Sequence, residues 1–215
     1  MVGRALAFFL ALTLGSTIAA FADQGPSYNG PLSPEERTFV TGIQADLMAR
    51  FPTAEDAVKA GYVRYTTEDD TGAISYANMR WNSPDPKHPS QLWYDKNGNL
   101  LGADFSQLMT GNERPSIFGV NPGRLFEFND HIHYVLKDRD GNVSYDQYIY
   151  PKDFVAKGGR DPKHPTAQDL VRIGKANSAS EVQAVFDMPS IWDLIVWVKP
   201  NPNGAFANKN PNVTP

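Results

Sequence analysis

Apolar positions change their spacing along this chain, and each change marks an element. Phe39, Val40, Ile43, Leu47 and Met48 recur at helical spacing and give one apolar face to a helix. Ser33-Pro34-Glu35-Glu36 opens that helix with an N-cap serine, a first-turn proline and an N3 glutamate, and Phe51-Pro52 closes it. Thr53-Ala54-Glu55-Asp56 repeats the capping pattern for a short second helix that stops at Gly61. From residue 62 to residue 150 the texture is that of strands. Residues 62–66 and 74–81 read as strands of one sheet, and two hairpins follow: residues 91–94 with 100–105, and 131–137 with 143–150. Their turns, Asp95-Lys96-Asn97-Gly98-Asn99 and Asp138-Arg139-Asp140-Gly141-Asn142, supply glycine where tight reversals need a positive φ.

The last third returns to helical signals. Residues 153–157 read as a single turn, and residues 166–175 as a helix carrying Leu170, Val171 and Ile173. Ser178-Ala179-Ser180-Glu181 reads as a capping box that opens another helix, with Val182, Val185 and Phe186 on one side and Pro189 as its stop. Residues 191–198 are so apolar that they predict a central strand buried on both faces. Beyond Pro200 the chain is rich in Asn, Pro and Gly, and Phe206 is expected to fold back into an apolar pocket. The sum is one α+β domain over residues 33–215. In it a mostly antiparallel sheet packs against helices from the N- and C-terminal parts of the chain.

Composition adds a location. Arg4, the apolar run 5–14 and Ala20-Phe21-Ala22 before Asp23 are the parts of a secretory signal peptide, predicting cleavage near Ala22 and a secreted or periplasmic product. Residues 23–32 then form a flexible, exposed leader. The chain has no cysteine, which excludes disulfides, thiol nucleophiles and a lipid-anchored cysteine, and leans toward a bacterial source. Asn142-Val143-Ser144 and Asn212-Val213-Thr214 match the glycosylation triplet, which matters only in a eukaryotic route. A net charge of −4 without a dense Lys/Arg cluster argues against nucleic acid as a partner, and no later apolar run is long enough to span a membrane.

Chemistry is sparse. The serine-hydrolase elbow, the phosphate loop, the dinucleotide fingerprint and the H-E-x-x-H zinc motif are all absent. His131 and His133, two apart on a strand, share a face and offer a metal pair, with Asp130, Glu127 or Asp104 to complete a shell around a divalent transition metal. This resembles the opening of a cupin metal motif, although the downstream glutamate and the second histidine motif of that pattern are missing. On the other reading Ile132, Tyr134 and Leu136 face the core and the histidines lie on a half-exposed sheet face. Asp138-Arg139-Asp140-Gly141 has calcium-loop character but reads as a hairpin turn, lacking the closing glutamate of an EF-hand. If helices cover only one face of the sheet, Trp93, His131, His133 and Trp197 line the other and offer flat surfaces to a sugar or apolar ligand. Asp-Pro-Lys-His-Pro occurs twice, at residues 85–89 and 161–165, and both copies read as rigid proline turns.

Trp197-Val198, Asn201-Pro202-Asn203-Gly204-Ala205-Phe206-Ala207 and Asn210-Pro211, together with Asp85-Pro86, Pro89, Leu92-Trp93-Tyr94 and the Gly98 turn, resemble two blocks of certain uncharacterised secreted bacterial proteins. The resemblance covers about a third of the chain and implies no activity. Some of those relatives carry a histidine in the strand before the tail, where residues 191–198 have none. The expectation is an exported, non-enzymatic protein that binds a small molecule, glycan or protein through a sheet face and loops, without a cofactor. The alternative is a metal-dependent hydrolase or oxygenase using His131 and His133.

Overall fold

The computed structural model describes residues 25–215. The signal peptide expected in residues 1–22 and the first part of the leader, residues 23–24, lie outside the described residues. Helix α1 (Pro34–Arg50) begins with the reciprocal bonds its sequence encodes. The Glu36 amide donates to Ser33 Oγ at 3.1 Å, and the Ser33 amide donates to Glu36 Oε2 at 2.9 Å. Helix α2 (Ala54–Lys59) is capped by Thr53. Strands β1 (Val63–Arg64), β2 (Ile74–Ala77), β3 (Gln91–Tyr94), β4 (Leu100–Leu108) and β5 (Phe126–Phe128) follow. Strands β6 (His131–Lys137) and β7 (Val143–Ile149) form the second hairpin, and α3 (Pro151–Ala156) and α4 (Ala167–Arg172) come before β8 (Val182–Met188) and β9 (Ile191–Trp197).

Among the described residues the strands form two antiparallel sheets, which with four helices make an α+β arrangement. The larger sheet has the order β1-β2-β3-β4-β9-β5, and the smaller β7-β6-β8. Strand β9 sits between β4 and β5 and is buried along its whole length, as its apolar run requires. One face of the large sheet packs Leu92, Phe105, Leu194 and Val196 against Val40, Ile43 and Leu47 of α1. The outer face of the small sheet packs Ile132 and Tyr134 against Phe154 of α3 and Leu170 of α4. The two remaining faces turn toward each other, joined by a cluster of Tyr65, Ala77, Val135 and Met188.

Asp146 clamps the sheets at one edge. Its amide donates to the Tyr65 carbonyl at 3.0 Å and its carboxylate accepts from the Thr67 amide at 2.9 Å, with the Asp146 backbone at φ 58°. Aspartate tolerates this left-handed conformation better than most residues.

Turn chemistry is reproduced wherever its sequence recurs. In both hairpin turns the aspartate carboxylate accepts from the backbone two and four residues on, Asn97 and Asn99 in one, Asp140 and Asn142 in the other. Asp138-Arg139-Asp140-Gly141 is therefore a hairpin turn. The two Asp-Pro-Lys-His-Pro copies also match: the Lys87 and Lys163 amides donate to Asp85 and Asp161, and His88 and His164 Nδ1 lie 2.7 and 2.9 Å from the same carboxylates.

One predicted helix is a strand. Ser178 makes no side-chain cap, the Glu181 carboxylate accepts from the Asn177 amide instead, and after a single tight turn (Ala179–Glu181) the chain pairs with β6 from Val182 onward. Val182, Val185 and Phe186 suit a pleated surface, and pairing with β6 overrides the local capping signal. The first two strands are also shorter than expected, and β5 is an addition.

The tail docks as anticipated. Phe206 is 3% exposed within the α1-side core, the Trp197 amide donates to the Ala205 carbonyl at 2.8 Å, and the Trp197 indole N–H donates to the Ala207 carbonyl at 2.6 Å. Of the expected leader, the Ser27 and Tyr28 amides both donate to the Gly123 carbonyl.

Candidate binding cleft

The inner face of the large sheet carries three cross-strand rows that follow from the register. Ser75, Trp93, Gly102 and Trp197 form one, Ala77, Gln91, Asp104 and Ile195 the next, and Ser106, Asp193 and Phe126 the third. Gly102 allows the first row to close. A Cβ there would stand 2.8 Å from the Val196 carbonyl oxygen and 3.2 Å from the Trp93 ring, and in its absence the two indoles meet edge to face at 5.3 Å.

Opposite these rows, β6 presents His131 and His133, and β8 presents Phe186 and Met188. Between the sheets lies a cleft of about 110 Å³, room for several waters or a small organic molecule. Trp93, His131, His133 and Trp197 all line it, so the four residues singled out in the sequence are brought to one place. Tyr65, Gln91 and Asp104 line it too, and Asp69, Thr71 and Asn208 complete the wall. Of the two histidines expected on a half-exposed sheet face, His131 is half-exposed, whereas His133 is covered by the large sheet and only 6% exposed.

His131 Nδ1 lies 2.8 Å from the Asn129 carbonyl, to which its N–H donates. His131 Nε2 and His133 Nε2 lie 2.9 Å apart, so the two rings form a hydrogen-bonded pair, and His133 Nδ1 is buried without a partner. Burial, followed by the nearby His131, pushes His133 down to a pKa of about 3.

Of the residues named for a metal shell, Asp104 lines the cleft with the two histidines, whereas Asp130 faces Lys163 and Glu127 is paired across to Trp192 on β9. Among the described residues no three His, Asp or Glu side chains are grouped so as to hold a metal ion.

Two carboxyl groups occupy the polar rows. Asp193 accepts from Ser106 Oγ at 2.8 Å, and Ser106 lies 2.5 Å from Ser90. Asp104 is 3% exposed, and its Oδ1 has no hydrogen-bond partner. Burial, reinforced by the charge of Asp193, raises Asp104 well above the carboxylate range, with only the Trp93 indole favouring the ionised form. Burial likewise raises Asp193, against the hydrogen bond from Ser106. Tyr65, whose hydroxyl donates to Gln91 Oε1, is raised by burial first and by Asp104 next.

Asp193, Gln91 and Tyr65 escaped the sequence reading. Asp193 had a signal, being the sole charged residue in an otherwise apolar strand, Ile191–Trp197. Gln91 and Tyr65 had none, since both resemble ordinary residues at strand ends. Comparison with protein-family models, with curated proteins and with solved structures found no match to this chain.

Proposed function

We propose that this protein is an exported binding protein that takes a small molecule into the cleft between its two sheets. The observation that carries the reading is the unpaired Oδ1 of Asp104, buried in a cleft walled by Trp93 and Trp197. A buried polar atom without a partner costs about 1–3 kcal/mol, and a ligand that supplies the missing hydrogen bond recovers it. Flat aromatic walls with a few polar groups are the usual composition of a small-molecule site. Binding is favoured over hydrolysis because the imidazoles hydrogen-bond each other, not a hydroxyl or a carboxylate, and the buried carboxyl groups favour their protonated forms. Export rests on the signal-peptide pattern of residues 1–22.

Saturation-transfer NMR on the full chain, screened against mixtures of small amines, amino acids and polyols, tests the reading. At least one compound should show transfer that is lost in Trp93→Ala, while circular dichroism shows the fold retained. Absence of transfer from every mixture, or transfer that persists at the wild-type level in both Trp93→Ala and Asp104→Asn, defeats it.

A further inference from the structure

We infer that the cleft selects a small organic cation, an amine or quaternary ammonium, seated against Asp104 Oδ1 beneath Trp93 and Trp197 and bound in exchange for a proton. This rests on the cleft being a binding site and names the chemistry of its ligand. Among the described residues, no lysine or arginine lines the cleft. An anionic ligand would meet no counter-charge there.

The groups around Asp104 come from every packed element, and none of them is a lysine or arginine. Gln91 stands beside it on β3, Ile195 and Asp193 on β9, the hydrogen-bonded histidine pair faces from β6, and Tyr65 and Asp69 close the side that follows β1. The protein thus supplies a hydrogen-bond acceptor and aromatic faces but no lysine or arginine. A cation over an indole face is attracted by the ring's negative π surface, the more so as water is excluded. Opposite charge within a few ångströms also favours ionisation of a buried carboxyl.

The exchange balances. Burial beside Asp193 favours the protonated acid in free Asp104; on binding, the cation pairs with the carboxylate and that proton passes to solvent. Asp193 keeps its hydrogen bond with Ser106 throughout. Affinity for the cation should therefore climb with pH while free Asp104 is protonated, by up to about tenfold per pH unit, and level off once Asp104 ionises unaided.

Isothermal titration calorimetry of the full chain tests this with methylammonium, choline and 3,3-dimethylbutan-1-ol, the uncharged isostere of choline. Titrations at pH 5.5 and 7.5, at constant ionic strength and in two buffers of different ionisation heat, count the protons released. The expected result is binding of methylammonium or choline, net release of protons on binding, tighter binding at pH 7.5, no measurable binding of the alcohol, and loss of cation binding in Asp104→Asn. An unchanged or raised unfolding midpoint in Asp104→Asn would show that the loss is not misfolding. The inference is overturned if the alcohol binds as tightly as choline, if cation affinity is the same at both pH values, or if neither cation binds while the NMR screen finds neutral ligands. In those cases the binding reading itself survives. Failure of both the calorimetry and the entire screen removes that reading as well.

Discussion

Replacing Glu36 with glutamine should expose how strongly one buried ion pair ties the two ends of the described chain to the core. Glu36 and Arg124 are each only 4% exposed along their side chains, with Arg124 Nε 2.8 Å from Oε1 and Nη2 2.9 Å from Oε2. The same carboxylate accepts from the Ser33 and Asn121 amides, and Arg124 Nη2 also donates to the Gly30 and Pro31 carbonyls. The guanidinium lies 4.6 Å from the Tyr28 ring and 5.1 Å from the Phe206 ring, so the pair anchors the segment before α1 and the docked tail.

Burial alone would raise the Glu36 pKa, but the bonds from Arg124, Ser33 and Asn121 outweigh it and hold the group at about 2, against an ordinary value of 4.5. At about 1.4 kcal/mol per unit, that depression corresponds to about 3 kcal/mol of stability at neutral pH. Breaking a buried pair by removing one partner typically costs about 3–5 kcal/mol.

The sign follows from the depressed pKa. The native carboxylate binds its proton less readily than the unfolded one, so the stabilisation is complete above pH 4.5 and is lost as pH falls toward 2. By about pH 3, roughly 2 kcal/mol of it should be gone. Urea unfolding of the wild type and Glu36→Gln at pH 7 and pH 3 measures both quantities. The gap should be about 3 kcal/mol at pH 7 and shrink to roughly 1 kcal/mol at pH 3. A Glu36→Gln protein that unfolds at the wild-type midpoint at pH 7, or a gap that does not narrow in acid, would refute the reasoning.

Phe206→Ala should lower stability by about 3–5 kcal/mol in the same assay, and truncation after Lys199 by more, because it also removes the carbonyl that receives the Trp197 indole N–H. His133, held neutral at about 3 against an ordinary 6.5, contributes stability that is present above pH 6.5 and lost as pH falls toward 3. Between pH 7.5 and 5 the wild type should therefore lose about 2 kcal/mol relative to His133→Gln, and parallel pH profiles would rule this out. Asp146→Ala removes the clamp between sheets and leaves an unfavourable backbone angle, for an expected loss of about 1–3 kcal/mol by urea unfolding. Protein purified without an affinity tag should carry no stoichiometric zinc, iron, copper or manganese by elemental analysis. A stoichiometric metal lost in a His131→Ala/His133→Ala double variant would favour metal-dependent chemistry instead.

Local chemistry was legible along much of the chain because short-range bonds decide it. Ser33 and Thr166 cap their helices, Gly98 and Gly141 close their turns at positive φ, and both Asp-Pro-Lys-His-Pro copies bond alike, all within four residues of sequence. The burial of Ile191–Trp197 could be read as well, since seven residues with one charge have nowhere to go but a core. What sequence left undecided were matters of partnership. Residues 182–188 carry a pattern that serves either a helix or a strand, and β6 settled it by offering an unpaired edge. Sequence alone places both hairpins in one sheet, whereas the structure puts them in two. They separate because β9 inserts between β4 and β5, leaving the hairpin of β6 and β7 to pair with β8. The cleft exists only through that separation. Sequence alone named Trp93, His131, His133 and Trp197 as residues of one sheet face, but they lie on two sheets, brought together by packing across the interior. Likewise, nothing local distinguishes Asp104 from a solvated aspartate. Its burial, and its unpaired oxygen, arise from residues that neighbour it in space and are distant along the chain.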